Sequence, residues 1–419
     1  MLLQFSVENF QSIKKKVILS LEPSQDKEHP ENIITQKKYS AMNTIAIYGA
    51  NASGKSTLFK ALTIALIAVR NSSNLQITNA IPVVPFRFDE ESIQKPTAFE
   101  FVFVAGDGKK YVYGFSAFPD KILDEYLYVY NTSKPSLIFD RTNSIQYKFP
   151  RNLKTEMELV LQRNTQNKFF ISTATSWNVE ATRPAFEWLA KGIDTYTNIS
   201  DMQGMALDIY RNEQKGEFSS FTQELMQRAD INISNIDIKT REISQEQINQ
   251  NPFGIIFQFP VAQKQFQYQI TTGHVVKRED GSEKEYRLQL SDESLGTQQL
   301  FAFGPFLKNA FDFGKVIIID EIDKSLHPFI VKFLINLFRN PEINKRGAQL
   351  IATTHATPLL SLDTFRRDQI YFTEKNADTG VTDLYSLDEF SVRKTDNIEK
   401  GYLLGRYGAI PYPYTEDII

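Results

Sequence analysis

The stretch Asn43-Thr44-Ile45-Ala46-Ile47-Tyr48, followed by Gly49-Ala50-Asn51-Ala52-Ser53-Gly54-Lys55-Ser56-Thr57, decides the fold. Its first part is an apolar run of strand length, and the segment after it, Lys55 to Arg70, is continuously helix-compatible with Leu58, Leu62, Ala65 and Leu66 on one face. Between them Gly49 to Ser56 satisfies GxxxxGK[ST] in the strand–loop–helix setting that the pattern requires. The two glycines let backbone N–H groups curl around phosphate oxygens at a helix N-terminus. Lys55 would neutralise β/γ-phosphate charge, and the Ser56 hydroxyl can ligate Mg²⁺. Gly49, Ala50, Asn51, Ala52, Ser53, Gly54, Lys55, Ser56 and Thr57 form the candidate nucleotide-binding set. The plain alternative is a glycine turn capping a helix.

Working outward, Val316-Ile317-Ile318-Ile319-Asp320-Glu321 is four branched apolar residues followed by two carboxylates. That pattern suits a strand buried on both faces that delivers charge at its C-terminal end, as a Walker B strand does. Asp320 would serve the metal shell and Glu321 would polarise the attacking water as general base. A core strand whose acids cap the next helix would look the same. A second buried-looking strand, Gln349 to Thr354, ends at His355, which can donate to a γ-phosphate or be structural. Leu290 to Gln298 is a polar turn containing Ser291, Ser294, Gly296 and Thr297 that runs into an apolar helix, Gln299 to Phe306. It reads as a second phosphate-binding helix N-terminus, or as an ordinary cap. One triphosphate does not need two cradles from one subunit, so the economical reading is that each copy lends this turn to its partner.

Composition narrows the rest. The chain has 419 residues, 42% of them hydrophobic, with a formal charge of −3, so it can build a core unaided and exerts no global pull on nucleic acid. It has no cysteine, which excludes disulfides and thiol chemistry, and four histidines with no paired spacing, so any metal should be oxygen-ligated. No apolar run approaches a membrane span and the N-terminus does not read as a signal peptide, so a cytoplasmic protein is expected.

Residues 2–21 read as two strands around a polar turn, Asn9 to Lys16. FEFVFV, KYVYGFSAF and ILDEYLYVY between Thr97 and Tyr130 read as an antiparallel meander. Residues 150–235 carry short helices, Pro252 to Leu290 returns to β alternation, and the last third alternates strand and helix. No heptad pattern persists, so no long coiled coil is expected. The expected organisation is 1–140, a β-lobe with the P-loop; 141–250, a mainly helical insertion; and 251–419, the C-terminal ATPase part.

In order, these segments resemble the Walker A, signature, Walker B, D-loop and H-loop series of the ABC ATPases, in the branch of the SMC, RecF and OLD proteins. The opening FSVENFQSI resembles the first strand of that branch, and PFRF at Pro85 to Phe88, read as a strand, with FEFVF, YVYGF, ESLGTQQL, IIIDEIDKSLHP, ATTHAT and GYLLGRYGAIP, is similar to the RloA- and AbiL-like AAA family ATPases of bacterial phage-defence loci. The resemblance implies an α/β, ABC-type P-loop NTPase head with an antiparallel β-lobe and a helical/β insertion. It implies ATP and Mg²⁺ as cofactors and Mg²⁺-dependent ATP hydrolysis. Lys55, Glu321 and His355 would be catalytic; Ser56 and Asp320 would hold the metal, with Gln94 after PFRF a weaker ligand. Ser294, Gly296 and Thr297 would complete the partner's site, with Ser291 competing with Ser294 for the register, and Ser325 to His327 would lie at the dimer seam, although a simple helix start at Pro328 explains the same residues.

A head-to-tail homodimer, or a higher even oligomer, follows from that pattern. The function it points to is a sensor or regulatory ATPase of a defence system acting on a separate nuclease or toxin effector. The residues after His355 carry acids too scattered, Asp383, Asp388, Glu389, Glu416 and Asp417, for an OLD-type nuclease domain. The alternative is a RecF- or SMC-like DNA-repair or DNA-maintenance ATPase, which leaves nucleic acid open as a partner.

Overall fold

The computed structural model describes residues 1–197, 199–213, 215–243 and 265–411. The expected strand at FGIIFQF, the Gln/Asn-rich stretch Ser244 to Asn251, and Glu416 and Asp417 lie outside the described residues. The chain divides into two compact units. One comprises Met1–Thr197, Phe313–Ile322 and Leu334–Ile419, and the other Asn198–Asp312 and Asp323–Phe333.

The first unit is built on two sheets. Its six-stranded sheet runs in the order Ile193–Tyr196, Val316–Ile319, Gln349–Thr353, Thr44–Gly49, Ile370–Lys375 and Thr382–Ser386. The first five are parallel and the last is antiparallel. Val316–Ile319 and Thr44–Gly49 are buried along their whole length, as expected of strands covered on both faces. Its seven-stranded sheet is antiparallel throughout, in the order Gln146–Lys148, Ser136–Thr142, Ile122–Tyr130, Lys110–Ala117, Thr97–Val104, Leu2–Glu8 and Val17–Ser20. This is the β-lobe that the alternation of residues 2–21 and 97–130 predicts.

The helix Lys55–Asn71 buries Leu58, Leu62, Ala65, Leu66 and Val69 in one core with Leu3, Phe5 and Phe101 of the lobe and Ile45, Ile47, Val316 and Ile318 of the parallel sheet. The spacing of those apolar residues is what fixes its buried face. Gln349, fully buried, ties the two sheets together. Its Oε1 accepts from Leu2 N–H at 2.7 Å, and its Nε2 donates to the carbonyls of Leu2 and Met42 at 3.0 Å each.

PFRF departs from expectation. Pro85 to Phe88 is not a strand: Pro82 and Pro85 have no N–H to give a ladder, and the Phe86 N–H goes to the Asn9 side chain at 3.0 Å. Asn9 is itself buried in the supposed polar turn, with its Nδ2 on the carbonyls of Ser92 and Lys95. The tail segment is a packed turn: Tyr402 and Tyr407 stack on Phe372, and Tyr385 donates to the Tyr407 carbonyl at 2.7 Å.

The second unit holds a three-stranded antiparallel sheet, Asn235–Ile243, Gln265–Lys277 and Glu283–Gln289, and the helices Ile199–Asn212, Glu217–Arg228 and Leu295–Phe313. Gly304 lets the last of these close on Thr222, where a Cβ would collide with the hydroxyl, and Tyr210 donates to the Phe301 carbonyl at 3.0 Å. Among the described residues the longest helix has 19 residues, which leaves no coiled-coil arm, and none is long and apolar enough to cross a membrane.

If the Gln349 amide is what locks lobe to sheet, Gln349→Leu should lower the unfolding free energy by about 3 kcal/mol, from three lost buried bonds. Denaturant titration checks this, and a loss below about 0.5 kcal/mol would show that the bonds are dispensable.

Candidate nucleotide site

The strand Thr44–Gly49 ends on a glycine where no side chain fits, because a Cβ on Gly49 would press on the Thr373 carbonyl at 2.5 Å. Gly54 caps the helix from the left-handed region at φ 110°, and a Cβ there would collide with Thr382. Hydroxyls fasten the loop from behind. Ser53 Oγ lies 2.6 Å from Thr373 Oγ1, and Thr382 Oγ1 lies 3.0 Å from the Ser53 carbonyl and 2.9 Å from Ser12 Oγ. Lys55 is buried and donates to the Gly49 and Ala50 carbonyls at 2.8 and 3.0 Å, a cation stationed inside the loop.

In front of the loop is a cavity of about 550 Å³ lined by Asn51 to Thr57, Glu321 and His355, together with Gln11, Ser12, Val84, Pro85, Arg87, Phe88 and Lys375. Residues separated by some 300 positions thus share one lining, with Lys55 and Ser56 facing the same space as Glu321 and His355. Asp320 stands one residue before Glu321, its Oδ1 accepting from Thr353 Oγ1 at 2.6 Å. Glu321 has a positive φ of 52°, which a non-glycine residue seldom adopts, and its N–H donates to the same Thr353 hydroxyl at 2.7 Å. Gln94 is not brought to the cavity: it caps the short helix Glu90–Ile93, following the irregular course of PFRF.

Gln11, Ser12, Arg87, Phe88 and Lys375 belong to the lining although the P-loop and Walker B patterns point to none of them. The FQSI and PFRF segments carry four of these residues, and both are irregular backbone in the structure. A second space of about 960 Å³ shares Asn51 to Ser53, Phe88 and Lys375 with the first and continues along Asn376 to Val381 to Ala409.

The second unit supplies the other predicted turn. Its helix begins at Leu295, so the free N-terminal N–H groups follow Ser294 and not Ser291. Ser294 is the cap, accepting from Thr297 N–H at 3.2 Å with Thr297 Oγ1 2.9 Å away. Gly296 is pressed against the Ser325 carbonyl, 2.7 Å from where a Cβ would be, so the signature turn and the Ser325–His327 segment make one surface within this unit. Leu295 and Phe329 on that surface are 70% and 76% exposed.

Solved structures overlap the chain over nearly its whole length at low identity. An SMC head bound to the C-terminal winged-helix domain of ScpA is 14% identical, covering 92% of this chain and 97% of its own, with a TM-score of 0.42. The SMC head domain from Thermotoga maritima is 12% identical, covering 92% and 98%, with a TM-score of 0.40. The recombination mediator RecF is 11% identical, covering 92% and 98%, with a TM-score of 0.36. None of the curated proteins compared matches the chain. The family described as "AAA domain, putative AbiEii toxin, Type IV TA system" matches residues 45–363, a span that takes in the P-loop, the signature turn, the Walker B strand and His355. With three quarters of its length under that match, the chain belongs to this family of AAA-type ATPases.

Proposed function

We propose that the chain hydrolyses ATP with Mg²⁺ as a two-copy switch in the cytoplasm, and that the switch governs a separate nuclease or toxin effector in a bacterial anti-phage defence system. The observation that carries the enzymatic part is the single cavity onto which the P-loop residues Asn51 to Thr57, Glu321 and His355 all open. The loop N–H groups and Lys55 receive the phosphates, Lys55 exchanging its two carbonyl contacts for phosphate oxygens. Glu321 acts as general base toward the attacking water, and His355 donates to the γ-phosphate.

The donor set fits Mg²⁺. Ser56 and Asp320 offer hard oxygens, and no cluster of three or more His, Cys, Asp or Glu ligands exists among the described residues. Mg²⁺ takes few protein oxygens and completes its shell with phosphates and water. Bound there, it would neutralise phosphate charge. Gln94, absent from the cavity lining, is left out of the set, whereas Asp320, also absent from it, is kept because it directly precedes Glu321.

Ser294, Gly296 and Thr297 serve the nucleotide of a second copy. The exposed Leu295 and Phe329 beside the Gly296–Ser325 contact support a covered face there, since such side chains lose apolar exposure when a partner arrives. The defence role rests on the family, whose description refers to a toxin–antitoxin system.

Glu321→Gln should retain ATP and accumulate dimer. Light scattering in ATP that gives the same monomer fraction for Glu321→Gln and wild type counts against the shared site. Lys55→Ala should weaken ATP binding by roughly ten- to a hundredfold, the worth of a charged hydrogen bond. Fluorescent-nucleotide titration measures it, and unchanged affinity removes Lys55 from the phosphates. The purified chain should leave DNA and RNA intact in Mg²⁺ or Mn²⁺; robust metal-dependent cleavage would make the separate effector unnecessary.

A further inference from the structure

We infer that Thr353 is a positioning residue for ATP hydrolysis, a clamp whose hydroxyl fixes both the Walker B carboxylate and the backbone of the general base. This rests on the nucleotide reading above and deepens it. Thr353 is the last residue of the strand Gln349–Thr353 and is wholly buried. Three bonds leave it toward one turn. Its Oγ1 accepts from Glu321 N–H at 2.7 Å, the same Oγ1 donates to Asp320 Oδ1 at 2.6 Å, and its carbonyl accepts from Ile322 N–H at 3.0 Å.

A hydroxyl has one proton and two lone pairs, so donating to the carboxylate while accepting from the amide uses it in the one sense that satisfies both neighbours. The bond to the carboxylate is charge-assisted and holds Asp320 by one oxygen, leaving the other for the metal. The bond to the amide holds Glu321 where a non-glycine residue rarely stays, at φ 52°. Such a conformation costs free energy and persists only when neighbouring bonds over-determine it. The two consecutive N–H groups of Glu321 and Ile322, both held by Thr353, do so.

The consequence reaches the cavity, where Glu321 faces the P-loop. A general base must stand within hydrogen-bond reach of the water, and a displacement of about 1 Å costs on the order of a hundredfold in rate. Two residues further on, the same chain delivers His355 to the same lining. The register of one strand end therefore sets the metal carboxylate, the base and the histidine together. That strand is itself indexed to the P-loop strand, with Thr353 opposite Ile47 and Thr354 N–H on the Ile47 carbonyl at 3.1 Å.

Thr353→Val keeps the shape and deletes the hydroxyl, whereas Thr353→Ser keeps the hydroxyl and deletes a methyl. In the full chain, Thr353→Val should lower kcat by roughly ten- to a hundredfold while nucleotide affinity stays within about twofold. The Glu321 amide should exchange faster with deuterium, and Thr353→Ser should return kcat to within about threefold of wild type. A Thr353→Val enzyme with wild-type kcat overturns the inference. So does a loss of kcat that follows a loss of nucleotide affinity, or one that Thr353→Ser does not repair, because a merely structural threonine would behave that way. If wild type hydrolyses no ATP, the nucleotide reading fails on its own, and exchange at the Glu321 amide still decides whether the clamp exists.

Discussion

The strand Thr44–Gly49 finds both of its hydrogen-bonding neighbours at the far end of the chain, in Gln349–Thr353 on one side and Ile370–Lys375 on the other. The strand that carries the loop therefore completes its ladder only with the C-terminal third in place. Closing so long a loop costs conformational entropy that grows only slowly with length, and the buried bonds of Gln349 and the shared apolar core offset it. Because the pairing is parallel, the neighbouring strands end on the same side as Gly49, and their C-terminal ends are where ligands of open α/β sheets bind. Glu321 and His355 reach the cavity in front of the Gly49–Ser56 loop through this topology.

Behind the loop, the antiparallel hairpin of Ile370–Lys375 and Thr382–Ser386 acts as a brace. Thr373 blocks any side chain at Gly49, Thr382 blocks one at Gly54, and the hydroxyls of Ser12, Ser53, Thr373 and Thr382 interlock. The tail in turn leans on this hairpin through Tyr402 and Tyr407 on Phe372, and Ala409 N–H reaches Glu374 at 3.3 Å. A loop braced in this way meets its ligand with its backbone donors already aimed, so little ordering remains to oppose binding.

Much of this arrangement was legible in the sequence, and what was not shares a physical cause. Val316–Ile319 and Thr44–Gly49 announce themselves because a strand buried on both faces needs a near-continuous apolar run, and the two carboxylates and the glycine loop follow directly at their C-terminal ends. The lobe announces itself through alternation and through the turns between its strands, Gly106 to Lys109 and Pro119 to Lys121. Pro85 to Phe88 misleads, because its aromatic alternation imitates a strand while its prolines withhold the donors a ladder needs. Gln11, Ser12, Arg87, Phe88 and Lys375 carry no local signature, since they reach the cavity only through long-range pairing. Thr353 is the sharpest case. In sequence it is one threonine of ATTHAT, and only its register against Ile319 to Ile322 gives its hydroxyl two partners.

Lys55 shows how the loop is kept ready. Its ammonium is buried, and an unpaired buried cation is too costly to persist, so it donates to the two loop carbonyls nearest to it. Those bonds are charge-assisted on the donor side only. On the proposed reading, arrival of a nucleotide would exchange these two one-sided bonds for bonds to charged phosphate oxygens. The gain is smaller than a bare Coulomb estimate suggests, because the carbonyl bonds given up must be subtracted. It is also selective. On that same reading, a neutral ligand would offer the lysine no charged acceptor in exchange for the carbonyls.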